Sequence, residues 1–115
     1  MIQTTVGIPI DKESVGNYFR TLINLFFKIL PLWEDGERSL DTYMKSLQAE
    51  LLGCKGLIEA IDHDALFLTL ISILQYLIDH PDTKTSVVKR EVFRAISICN
   101  KLKSRYGAAE SEGAV

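Results

Sequence analysis

His63 stands between two carboxylates in Asp62-His63-Asp64, and His80 has carboxylates on either side in Asp79-His80-Pro81-Asp82. A histidine beside a carboxylate has the makings of a metal ligand or a tuned general base. The two clusters are separated by a run that reads as helix, which holds them ~25 Å apart. They cannot share one centre within a chain. Inside each cluster the groups are sequence neighbours, which point in different directions on a helix or turn. Helix caps and solvated ends are the expectation for both.

Nucleophilic chemistry has as little support. No Gly-x-Ser-x-Gly elbow occurs. Cys54 and Cys99 have no histidine close by in sequence and lie in apolar segments, where they read as small buried hydrophobes. Gly53-Cys54-Lys55-Gly56 lacks the length and the Lys-Ser/Thr ending of a phosphate loop. Glu50, Glu59 and Asp62 lie close in sequence, but without the Glu-x-x-His of a di-iron bundle. The expectation is a chain that is not an enzyme, with no catalytic residue, metal or cofactor.

One polar pattern does have a geometry. Arg90, Arg94, Lys101 and Arg105 follow steps of four, seven and four, which keeps them on one face of a helix. Lys89 and Lys103 flank that face. The stripe belongs to a wider asymmetry that the net charge of −2 conceals. Residues 1–83 hold six Lys/Arg against twelve Asp/Glu, whereas residues 84–106 hold seven against the single acid Glu91. A basic stripe of this kind suits an acidic protein surface or phosphates, or else simply complements the helix dipole and the acidic neighbours. The acidic isoelectric point of 5.6 and the absence of interleaved aromatics count against nucleic acid.

The elements that must carry this stripe are helical. Ala65 to Ile78 is a fourteen-residue run without a charge, and Pro81 closes it. It is too short for a bilayer, which needs ~20 apolar residues, and too long for a strand of about 5–6. A helix apolar almost all round is the remaining reading, and such a helix sits inside others. Before it, Val15, Tyr18, Phe19, Leu22, Ile23, Phe26, Phe27 and Leu30 mark a helix over about 12–30, capped by Asp11 and limited by Pro31. Residues 32–38 read as a loop, with Trp33 a lid over the core or, less favoured, an exposed partner anchor. A second helix spans about 40–53 and stops at Gly53 and Gly56. Leu57–Ile61 is a short helix or turn. Asp62 or Asp64 caps the apolar helix, and a last helix runs from Ser86 to Tyr106 with Gly107 as its C′ residue.

The fold class is therefore all-α: a compact bundle of four main helices, with room for a short fifth, around a buried third helix. Alternation of Ile2, Thr4, Val6, Ile8 and Ile10 marks an extended N-terminal arm over 1–11, interrupted by Gly7 and Pro9. The helical domain covers 12–106, and 107–115 is a flexible acidic tail. Two cysteines are too few for a disulfide framework, and the start lacks a signal peptide, so the expectation is a reduced, cytoplasmic protein with no membrane contact. Functionally, the pattern points to a non-enzymatic protein–protein interaction module, a small adaptor, assembly subunit or regulator. Its partner is an acidic protein surface, a second copy of itself, or both. The alternative is a nucleic-acid-associated regulator or subunit of a nucleoprotein complex. The partner-binding candidates are Arg90, Arg94, Lys101 and Arg105, with Trp33, Lys89 and Lys103 as secondary ones.

Overall fold

The computed structural model describes residues 2–3, 9–10, 12–36, 38–57, 61 and 63–107. Five helices are present among them: α1 (Lys12–Phe27), α2 (Ile29–Glu34), α3 (Leu40–Leu57), α4 (Ala65–Asp79) and α5 (Thr85–Tyr106). Four are long, α2 is short, and together they pack as an all-α bundle.

The first break falls where proline chemistry places it. Pro31 has no N–H to give to the carbonyl of Phe27, and its ring crowds that carbonyl. The helix turns at Lys28 and restarts, which seats Pro31 in the first turn of α2, where a missing donor costs nothing. The sequence reading ends the first helix at 30 and makes 32–38 a loop; instead α2 carries helix on to Glu34. Gly36, at φ +64°, then turns the chain, in a region where other residues are strained.

The second helix likewise outlasts its expected end, running through Gly53 to Leu57. Cys54 packs on the core from beyond Gly53, and tertiary contact of this kind overrides a glycine's weak helix propensity. Gly53 is exposed, and a Cβ there would meet nothing within 4 Å. The opposite holds for Gly107, whose backbone is extended rather than left-handed, with φ −92° and ψ 167°. Its glycine is required by close approach: a Cβ would lie 2.7 Å from the Gly16 Cα and 2.8 Å from the Lys103 carbonyl oxygen. Gly53→Ala should therefore raise stability by about 0.5–1 kcal/mol. Gly107→Ala should lower it by about 1–3 kcal/mol through backbone overpacking. Urea denaturation of both variants checks the pair; equal effects would contradict it.

The apolar helix of the sequence reading is α4, capped by Asp64, whose side chain accepts from the Leu66 N–H at 2.8 Å. Its burial is one-sided rather than all round. Phe67, Leu70, Ile73, Leu74 and Leu77 are buried, whereas Leu68, Ser72, Gln75 and Tyr76 are exposed. Thr69 and Ser72 donate to carbonyls one turn back, at 2.8 and 3.1 Å, so the polar members of the run satisfy themselves locally. Helix α4 lies against α3 and α5 and leaves its remaining side to solvent. The centre of the bundle is shared with α5, which packs on α1 most extensively and also on α4 and α2. Its buried stripe is Val88, Val92, Ala95, Ile96, Ile98, Cys99 and Leu102.

The N-terminal arm pairs with itself. Ile2–Gln3 and Pro9–Ile10 form a two-residue antiparallel ladder in the register Ile2↔Ile10 and Gln3↔Pro9. The sequence reading makes 2–10 one extended strand; instead its two ends pair with each other. Residues 1, 4–8, 11, 37, 58–60 and 62, the cap candidates Asp11 and Asp62 among them, lie outside the described residues, as does the acidic tail beyond Gly107. Gly107 itself is buried in the helical body.

Candidate functional site

Helix α5 turns its buried stripe inward, and this sets the basic residues on the outward side. Arg90, Arg94 and Lys101 are all exposed there. Arg90 and Arg94 overhang a groove between α4 and α5 of about 320 Å³, lined by Ser72, Ile73, Tyr76, Arg90, Glu91 and Arg94. On its far wall Tyr76 is 44% exposed, and its ring stacks on His80 with centroids 4.3 Å apart. The His80 Nδ1 lies 2.8 Å from the Tyr76 carbonyl oxygen, which holds that pair together.

Glu91 occupies the space between the two arginines. Its side chain is only 14% exposed; one oxygen lies 2.8 Å from Arg94 Nη1 and the other 3.6 Å from Arg90 Nη2. The lone acid of the basic segment is thus spent on the two cations nearest the groove. Beyond them Lys101 and Lys89 are exposed and make no ion pair with another described residue. One turn from Arg90, Phe93 meets Phe27 of α1 edge to face at 5.8 Å, and each ring is 43% exposed.

Arg105 has a different task. Its Nη1 donates to Asp64 Oδ2 at 2.7 Å, and the Tyr106 hydroxyl donates to the same oxygen. The Asp64 side chain is 3% exposed, so Arg105 and Tyr106 bolt the end of α5 to the start of α4. Burial works to raise the Asp64 pKa. The hydrogen bonds from Tyr106, Arg105 and the Leu66 N–H, with the Arg105 charge, outweigh it and hold the carboxyl below its ordinary value. All four stripe residues are exposed; Arg105 differs in being tied to Asp64 of α4.

No protein-family model, curated protein or solved structure matches the chain.

The other candidates fall into place around the stripe. Trp33 is half-buried on the core and donates from Nε1 to the Thr83 carbonyl oxygen at 3.2 Å, which makes it a lid. It also walls a groove of about 250 Å³ with Leu40, Met44, Ile78 and Pro81. Lys103 is half-buried on the flank of α5. His63 and His80 stand at opposite ends of α4, and no group of three His, Cys, Asp or Glu among the described residues is placed to hold a metal. Burial pushes the Cys99 thiol up to about 12. Burial also raises the Cys54 thiol, against the lowering effect of the Tyr18 hydroxyl beside it. Nucleophilic attack needs the thiolate, so neither environment activates its sulfur. Among the described residues no helix is long and apolar enough to cross a membrane.

Sequence reasoning passes over Glu91, Tyr76 and Ser72. Glu91 has a local signal, since an acid three residues before Arg94 is a helix-pairing position. Tyr76 and Ser72 have none, because their place beside Arg90 depends on how α4 and α5 cross.

Proposed function

We propose that the chain is a non-enzymatic helical interaction module, an adaptor, assembly subunit or regulator, that offers the outward face of α5 to an acidic protein surface. One observation carries this: Arg90, Arg94 and Lys101 share an outward surface with three large rings left in water, Tyr76, Phe93 and Phe27. Arginine and aromatic side chains dominate the energetics of protein interfaces. Cations on the same surface steer an acidic partner and suppress wrong ones.

The test is a triple charge reversal, Arg90→Glu, Arg94→Glu and Lys101→Glu. Arg105 is left alone because reversing it would break the Asp64 anchor and confuse folding with binding. Tagged wild-type protein should retain an acidic partner at about 0.15 M salt, where exposed charges are screened beyond about 8 Å. The triple variant, with an unchanged circular dichroism spectrum, should lose it. If the variant keeps every partner, the face is only solvated. If wild type instead binds random DNA or RNA with a steep salt dependence, phosphates are the target.

A further inference from the structure

Five features of the molecule stand apart from its packing: the α4–α5 groove, the Trp33 groove, the Phe27–Phe93 edge, the Tyr18 hydroxyl near Cys54, and the His80–Tyr76 stack. The first brings together the most chemistry. Two guanidiniums converge on its mouth, Arg94 at 54% and Arg90 at 71% side-chain exposure, so both keep donors free for an incoming group. Tyr76 presents a half-exposed ring on the facing helix, and its hydroxyl has no hydrogen-bond partner among the described residues. Ile73 supplies an apolar floor. The anion already present is the chain's own Glu91.

We infer that this groove is a seat for a carboxylate side chain of an acidic peptide segment, and that Glu91 is the internal competitor that fills it in the free protein. The inference rests on the proposed function and deepens it. A planar guanidinium takes a carboxylate through two parallel N–H···O bonds, a geometry that an ammonium cannot reproduce. Glu91 satisfies Arg94 through a single 2.8 Å contact and Arg90 only at 3.6 Å. An incoming carboxylate therefore finds unused donors on both arginines and a phenol opposite. The groove is sized for one or two side chains, not a folded domain, so the occupant is a short Glu- or Asp-rich stretch with the rest of the partner lying along Lys101 and Phe93.

This mechanism makes a prediction of unusual sign: removing a carboxylate inside the site strengthens binding. The probe is a fluorescein-labelled hexaglutamate peptide, read by fluorescence anisotropy, with oligothymidine of equal length as the phosphodiester control. Glu91→Gln keeps the shape and an acceptor while releasing the two cations. It should tighten hexaglutamate binding by about tenfold, the scale of one charge-assisted hydrogen bond. Ser97→Lys adds the same unit of charge to the outward side of α5 but outside the groove, and should change affinity by less than about twofold. Arg94→Lys preserves the charge, sits on an exposed side chain and loses the fork. It should weaken binding several-fold even if Glu91→Gln proves too unstable to assay.

Equal gains from Glu91→Gln and Ser97→Lys overturn the seat and leave a diffuse basic face, with the interaction-module reading intact. So does unchanged binding by Arg94→Lys. Oligothymidine binding at or above hexaglutamate in wild type overturns both the seat and the acidic-protein reading. A gain confined to Glu91→Gln, with a loss in Arg94→Lys, establishes the seat.

Discussion

Asp64→Ala should destabilise the protein by about 2–4 kcal/mol, the loss of a helix cap together with hydrogen bonds to a charged group. Asp64 is the one buried acid of the described helical body, and it serves three partners at once: the Leu66 N–H, the Arg105 guanidinium and the Tyr106 hydroxyl. Urea denaturation at pH 7 measures the effect. Asp64→Asn should recover part of it, because asparagine caps a helix nearly as well. The native carboxyl titrates below its ordinary value of 3.8. Its contribution is complete above that value and fades as the pH falls through the lowered native one. Wild type should therefore lose stability on acidification below about pH 4, where the ordinary carboxyl begins to protonate. The Asn variant should lack that component of the slope. A loss below about 0.5 kcal/mol in Asp64→Ala, the size of an ordinary surface change, would mean that the α4–α5 anchor is ornamental.

Leu70→Ala and Leu74→Ala should each cost about 2–5 kcal/mol, since both side chains are fully buried and their removal leaves a cavity in a close-packed interior. Against a total stability of about 5–15 kcal/mol for a domain of this kind, either change is severe. Leu68 tests the other side of the same helix. It is 40% exposed, so Leu68→Ala should cost well under either core change. Thermal and urea midpoints of the three variants decide it. A Leu68 effect as large as that of Leu70 would show that the outer side of α4 is covered in solution.

The contrast between these leucines marks how far the sequence can be read. The stripes of α1, α3 and α5 place their helices because a 3.6-residue period survives in the text. The run 65–78 announces a helix but not its wet side, since apolar residues such as Leu68 and Tyr76 stand on both sides of it. Its polar residues are no clearer guide, as Thr69 and Ser72 bond within their own turn. Pro31 was legible as a disturbance, but not as a restart; that depends on α2 packing against α3 and α5. In the site, the spacing of Arg90, Arg94 and Lys101 fixes a common face from sequence alone. Arg105 shares the spacing, but its tie to Asp64 is not legible, because Asp64 lies forty-one residues away and no local pattern joins them.

The broadest packing surface, between α1 and α5, joins the first and last of the described helices and is closed at one end by the Gly16–Gly107 contact. During synthesis the ribosome delivers α1 well before α5, with α2, α3 and α4 made between them. Helix α1 emerges with Phe19, Leu22 and Phe26 ready to be covered, and the helix that covers them is made only after α3 and α4. The α3–α4 pair, close in sequence, can assemble meanwhile at little loop-closure cost. The apolar stripe of α1 must wait, held by whatever provisional shelter the nascent chain or a chaperone provides, until translation reaches the end of α5.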